Sequence, residues 1–203
     1  KLNDKYKKAV MGRDIDRWVI KNKSKFVYYD EKVLTRIGDE DAFLSKEKLI
    51  MQRIGAGLIC AYDDKQYYCY NSTNIILPSK EEFNLKYILA LINSSLLNSY
   101  YRIVFATKAG LTVNVTQGYL SQLPIKIIPR DKQKEIVELV DQLIECKNRI
   151  IMLKEKMTDE KERLEKELIQ LEKKLDDKVY TIYGITEEEK KIIEESLKWV
   201  LKE

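Results

Sequence analysis

The 203-residue sequence predicts an α+β fold. Mixed strands and helices fill residues 1–130, and an antiparallel helical hairpin with a short terminal helix fills residues 131–203. Three observations point there. β-forming residues cluster in short runs before residue 130, each bounded by turn residues. Beyond Pro129 the apolar residues recur at helical spacing, in two long runs separated by one short break. Composition divides at the same point: residues 1–130 hold 21 Lys+Arg against 13 Asp+Glu (net +8) and eleven of the thirteen tyrosines, while residues 131–203 hold 16 against 20 (net −4). A basic, tyrosine-rich stretch joined to an acidic one implies two modules with different partners.

Taken in order, Ala9–Ile15 and Lys25–Tyr29 read as strands, and residues 39–53 as a charged helix. Arg53–Asn74 reads as a strand pair: a short apolar run reaches an Asp63-Asp64-Lys65 turn and returns through tyrosines into Asn-Ser-Thr. Cys60, Cys69, Tyr68 and Tyr70 are expected in the core, leaving Arg53, Tyr62, Lys65 and Tyr67 exposed. Pro78-Ser79-x-x-Glu82 is a capping box before a strongly apolar core helix over Tyr87–Tyr101. The polar, glycine-punctuated Ala106–Gly118 reads as an exposed loop or bent strand, and Leu123-Pro124-Ile125 as a short closing strand. Pro129-Arg130-Asp131 opens the first long helix, with Asp131 able to cap it and Ile136, Val140, Leu143 and Ile144 on its apolar stripe. After Met157 a second helix starts from Thr158 or Asp159. Its Leu164, Leu168, Leu171, Leu175 and Val179 approach a coiled-coil seam. Gly184 ends it, and Thr186-x-x-Glu189 caps a third helix.

Catalytic constellations are ruled out mainly by absence. The sequence has no histidine, which excludes histidine triads and histidine-ligated zinc. Gly55-Ala-Gly57 lacks a third glycine and a following helix, so it is no nucleotide cradle. The Asn-Pro-Pro-aromatic tetrapeptide of amino-methyltransferases is missing, as is a nuclease pairing of carboxylates and lysine on strands. Asp63-Asp64 reads as a solvated turn before a metal site. Three cysteines without Cys-x-x-Cys spacing fit free thiols in a reducing cytoplasm. No run reaches the ~20 apolar residues of a membrane helix, and Lys1 at the first position suggests a fragment of something larger.

The residues that remain resemble a known family. Met11-Gly-Arg13-Asp14-Ile15-Asp-Arg17-Trp18 is similar to the Arg-Gly-Arg-Asp-Ile-x-Arg-Tyr opening of TaqI-like specificity domains. These stand at the C-terminus of type IIG restriction-modification enzymes and adenine methyltransferases, and are related to type I specificity subunits. Arg53-Ile-Gly-Ala-Gly, Tyr87-Ile-Leu-Ala-Leu-Ile-Asn93-Ser94, Tyr119-Leu120-Ser-Gln-Leu123-Pro124-Ile125 and the trailing Tyr183-Gly184-Ile185-Thr186 resemble later segments of that family, in order. Met11 stands where an arginine is usual, and Trp18 replaces a tyrosine.

The resemblance implies a mixed-sheet target recognition domain over residues 1–130 that binds double-stranded DNA. Arg13, Arg17, Lys32, Arg36, Arg53 and Lys108 are its candidate phosphate contacts. Lys65, Thr112, Asn114 and Gln117 are candidates for reading groove edges, and Tyr62 and Tyr67 for packing on sugars or filling the gap left by a flipped base. Against these stand blander roles: Arg13 or Arg17 paired with Asp14 or Asp16, and Asn114 and Gln117 bonded within turns. No cofactor is expected in this chain. S-adenosylmethionine, with Mg2+ as a further candidate, belongs to the catalytic domain or subunit expected as its partner. The 131–180 hairpin resembles the spacer helices of type I specificity subunits, which implies docking on a catalytic module or a second recognition half; the alternative is that it braces the recognition domain. A protein-only adaptor and an enzyme with an unrecognised motif are the rival classes.

Overall fold

The computed structural model of the chain describes residues 4–21, 24–30, 32, 39–77, 83–105, 113–153 and 158–197. In chain order the elements are β1 (Tyr6–Val10), a 3-10 turn (Gly12–Asp14), β2 (Phe26–Tyr28), α1 (Glu40–Leu44), β3 (Lys48–Gln52), β4 (Ile54–Gly55), β5 (Cys60–Asp63), β6 (Tyr68–Cys69) and β7 (Thr73–Ile76). Then come α2 (Leu85–Asn93), α3 (Ser95–Phe105), β8 (Val113–Asn114), α4 (Gln117–Leu120), α5 (Arg130–Met152), α6 (Asp159–Tyr183) and α7 (Glu187–Leu197). The fold is α+β.

The strands form three small sheets. β1 lies between antiparallel β2 and parallel β6, β3 lies between β5 and β7 with both pairings antiparallel, and β4 pairs with β8. This differs from the expected Arg53–Asn74 strand pair. The arms on either side of the Asp63–Lys65 turn do not pair with each other, because β3 inserts between β5 and β7. The expected helix over residues 39–53 stops at Leu44, where β3 takes over after Ser45–Glu47. Leu49, Ile50 and Met51 are all fully buried, the continuous apolar run of a central strand covered on both faces. Lys48, one of the charged residues of the expected helix, heads that run with its side chain fully buried in a 2.6 Å ion pair with Asp63, and its Nζ also donates to Phe43 O at 2.7 Å. Asp63 is therefore not in a solvated turn. It accepts from the backbone N–H groups of Lys65 (2.8 Å) and Tyr67 (3.0 Å), which holds Gln66 at a φ of 57°.

The strand expected over Ala9–Ile15 ends at Val10. Gly12 turns the chain so that its N–H donates to Ser72 Oγ at 2.9 Å, and a Cβ at Gly12 would lie 2.6 Å from Ser72 O. The apolar helix over Tyr87–Tyr101 is broken at Ser94, whose extended backbone separates α2 from α3. Asn93 lies beside the break and behaves as a strand edge: Oδ1 accepts from Cys60 N (3.1 Å) and Nδ2 donates to Cys60 O (2.9 Å). α2 is thereby fastened to β5. Leu123–Ile125 forms no strand. Tyr183 Oη donates to Pro124 O (2.6 Å) and accepts from Lys126 N (3.0 Å), so this segment is tied to α6. The expected Ser79–Glu82 capping box lies outside the described residues, and Asn84 caps α2.

The hairpin forms as the periodicity predicts. Thr158 caps α6 by accepting from Lys161 N, and Gly184 ends it in the left-handed region at φ 72°. Thr186 and Glu189 exchange the two bonds of a capping box before α7. At the first helix, Pro129 takes the cap position and Asp131 sits in the first turn. Ion pairs Arg149–Glu160 and Lys178–Glu135 at opposite ends show that α5 and α6 run antiparallel. The hairpin also packs on the front stretch. A single apolar cluster includes Leu49, Leu89, Leu91 and Leu97 together with Ile136, Val140, Leu143, Leu175 and Val179. Cys60 and Cys146 are buried, and burial raises both thiol pKa values. Cys69 is half-buried, its thiol pushed up to about 12 mainly by desolvation.

Candidate nucleic-acid interface

The 3-10 turn at Gly12–Asp14 presents Arg13 to solvent. Its neighbour does the holding: Asp14 is buried, accepts from Met11 N at 2.8 Å and pairs with Lys25. The carboxylate beside Arg13 is thus occupied, and Arg13 is not paired with it. Gly12 joins this turn to Ser72, and Arg53 bonds to the same Asn71–Ser72 segment. Arg53 N donates to Ser72 O (3.1 Å), and its Nη1 donates to Asn71 O (3.1 Å). Arg13 and Arg53 therefore both neighbour the Asn71–Ser72 turn, both are exposed, and neither is paired with a carboxylate among the described residues.

Arg53 also leads into the two-stranded ribbon of β4 and β8. Its carbonyl accepts from Val115 N (2.7 Å), Ile54 stands opposite Asn114, and Gly55 stands opposite Val113. The ribbon is tied down from behind. Asn74 Nδ2 donates to Val115 O (2.8 Å), and Tyr101 Oη donates to Asn114 O (3.0 Å). Asn114 is exposed and its side-chain amide bonds to nothing among the described residues. Three residues on, Gln117 is exposed at the start of α4, which Thr116 caps through Tyr119 N. One edge thus gathers Arg13, Arg53, Asn114 and Gln117. Ile54, 68% exposed, belongs to it as well; its apolar side chain gave no sign in the sequence of an exposed position.

Other candidates lie elsewhere. Arg17 is held by Asn93 O (2.7 Å from Nη2) and Glu172 (3.3 Å from Nη1), so its partner is neither Asp14 nor Asp16. Trp18 is fully buried with φ 77°, and its Nε1 donates to the same Glu172 at 2.7 Å. Asp16 pairs with Lys147 of α5. The Asp-Arg-Trp end of the opening motif therefore bolts the front stretch to the hairpin. Tyr67, expected to be exposed, is 3% exposed, because the turn closed by Asp63 folds it inward. Tyr62 is half-buried with Lys86 Nζ 4.9 Å from its ring centre, and Lys86 in turn pairs with Asp141. Burial first, then a hydrogen bond to Glu47, raise the phenol's pKa. Lys65 is exposed and pairs with Asp64 at 3.4 Å, at the opposite end of the β3–β5 ladder from Arg53. Lys32 is exposed beside the Lys5–Asp30 pair, across the length of β1 from Arg13. Arg36, Lys108 and Thr112 lie outside the described residues. Among the described residues no cluster of three or more His, Cys, Asp or Glu side chains could hold a metal ion, and no helix is long and apolar enough to cross a membrane.

The structure is thus a mixed α+β unit, braced by a helical hairpin, that exposes Arg13 and Arg53 without carboxylate partners among the described residues. Residues 7–125 match the TaqI-like C-terminal specificity domain, and the chain belongs to that family. Among solved structures the chain is similar to the type IIL restriction-modification enzyme MmeI, determined in complex with DNA. The TM-score is 0.63 at 14% identity, covering 99% of this chain and 32% of that one. The likeness extends past residue 125 into the hairpin, and the chain spans about a third of that enzyme's length. No curated protein matches the sequence.

Proposed function

We propose that this chain is the duplex-DNA recognition module of a restriction-modification enzyme, of type IIG or a type I-like arrangement. It positions DNA in the cytoplasm for adenine methylation or cleavage by a catalytic domain or subunit that uses S-adenosylmethionine, with Mg2+ as a further candidate cofactor. The observation that carries this reading is the placement of Arg13 and Arg53 beside the Asn71–Ser72 turn, with no carboxylate pairing with them among the described residues. Cations left unpaired on one edge suit phosphates, which fix register without reading sequence. Asn114 and Gln117 on the same edge carry donor and acceptor groups suited to base edges. Lys32 and Lys65 stand roughly a five-residue strand, about 16 Å, from that edge and suit outlying phosphates. Within this division residues 1–130 read DNA, and residues 131–203 brace them and dock on the catalytic partner.

Salt titration tests the reading. Binding of the chain to duplex DNA should weaken linearly in log affinity against log salt. Arg13→Ala and Arg53→Ala should each reduce the slope by about 1, uniformly across sequences. Absence of binding at low salt, or an unchanged slope in both variants, would sink the proposal. Concentration-dependent oligomers without DNA binding would favour the adaptor class.

A further inference from the structure

Resting on the DNA-recognition reading, we infer that the cross-strand pair Ile54–Asn114 is the base-reading element of this edge, and that it selects thymine and adenine. Ile54 and Asn114 are register partners in the β4–β8 ribbon. Directly opposed residues of an antiparallel pair point to the same face, with Cβ atoms roughly 5 Å apart. Both are exposed. The ribbon has two strands of two residues each, and its backbone is fixed from behind by Asn74 and Tyr101. A two-stranded ribbon is narrow enough for the major groove, about 12 Å wide, and too wide for the minor groove, about 6 Å.

The chemistry of the pair is specific. A free carboxamide matches adenine, whose N6 donates and N7 accepts in the major groove, and an aliphatic side chain matches the thymine 5-methyl group. Neither residue has a competing task. The Asn114 amide bonds to nothing among the described residues. Burying an isoleucine is worth about 1.5–3 kcal/mol, yet Ile54 remains 68% exposed in the residue that follows Arg53. Charge supports the occupant: Arg53 at the ribbon's start and Arg13 beside the Asn71–Ser72 turn are cations suited to the phosphates that border a groove.

The test uses the 203-residue chain, duplexes enriched from a random-sequence pool, and versions of the enriched duplex in which each thymine in turn is replaced by uracil. Uracil removes only the 5-methyl group. Wild type should lose about 3- to 10-fold in affinity at one such position. Ile54→Ala should show the same loss on the thymine duplex and no further loss when uracil is present. Asn114→Ala should lose about tenfold in preference for adenine at one position, the low end of a good bidentate contact. Both variants should keep the wild-type melting temperature, since neither side chain is buried. Salt-dependent binding with no enriched sequence, with no uracil-sensitive thymine, or with additive Ile54→Ala and uracil effects would overturn the ribbon assignment alone. No salt-dependent binding by wild type would overturn the DNA-recognition reading and this inference with it.

Discussion

At the scale of single residues, charge in this protein has two fates that residue type does not distinguish. Arg13 and Arg53 stand exposed without a carboxylate partner among the described residues, whereas Arg17 and Lys48 are consumed inside the chain. Lys48 is the extreme case, fully buried against Asp63. Ion pairs in such places contribute little net stability when intact, but removing one partner strands a charge in a low-dielectric site. Asp63→Ala should therefore cost about 3–5 kcal/mol in urea unfolding, whereas Lys48→Met with Asp63→Leu should recover only the part due to the stranded charge, because the N–H groups of Lys65 and Tyr67 still lose their acceptor. If the single variant loses less than about 1 kcal/mol, the pair is solvated in solution and the pinned turn at Lys65–Tyr67 needs another cause.

At the scale of elements, the contact between α6 and the α2–α3 junction carries a pH dependence. Asp176 accepts from Ser95 N (2.8 Å) and Ser95 Oγ (2.6 Å), satisfying the first residue of α3. Burial raises its pKa, outweighing those two hydrogen bonds and the nearby Arg17. A carboxyl whose folded pKa lies above its unfolded value favours folding when protonated. That contribution is fully present below the unfolded value and is lost as pH rises through the folded one. Asp176→Asn removes the titration. Its stability relative to wild type should therefore fall as pH drops from 7 towards 4, read from urea midpoints across that range. A difference that stays constant with pH would show that Asp176 keeps its ordinary acidity. The elements also show what was legible beforehand. Both long helices, the Gly184 stop and the Thr186–Glu189 cap announce themselves through apolar spacing and local hydrogen-bonding chemistry. β3 does not, because a lysine heads it, and its partners β5 and β7 are separated from it by at least one other segment.

At the scale of the whole molecule, one apolar cluster runs across the change in composition at residue 130. Ile136, Leu139, Val140 and Leu143 of α5 and Leu175 and Val179 of α6 belong to one apolar cluster with the strands and α2. Glu172 ties α6 to Arg17 and Trp18, and Lys147 ties α5 to Asp16. Each large buried aliphatic residue contributes about 1.5–3 kcal/mol, so losing six of them removes about 9–18 kcal/mol, as much as the whole margin of about 5–15 kcal/mol typical of a folded domain. Residues 1–130 expressed alone should show no cooperative urea transition, while the full chain should show one. A cooperative transition in the shorter chain would mean the two stretches fold independently.

The sequence by itself determined the α+β class, the helical hairpin and its caps, and, through ordered motifs from Gly12-Arg13-Asp14-Ile15 to Leu123-Pro124-Ile125, the family. Those features are written in periodicity, capping residues and short motifs, which act within a few positions along the chain. Only the tertiary structure decided which side chains of those motifs remain free. Asp14, Asp16, Arg17 and Trp18 are spent on Lys25, Lys147, Glu172 and Asn93, while Arg13, Arg53, Ile54 and Asn114 meet at an edge made by strands some sixty residues apart. Exposure and partnership depend on contacts between segments distant in sequence. A local pattern identifies the residue, and the packing around it decides whether that residue faces a partner or the core.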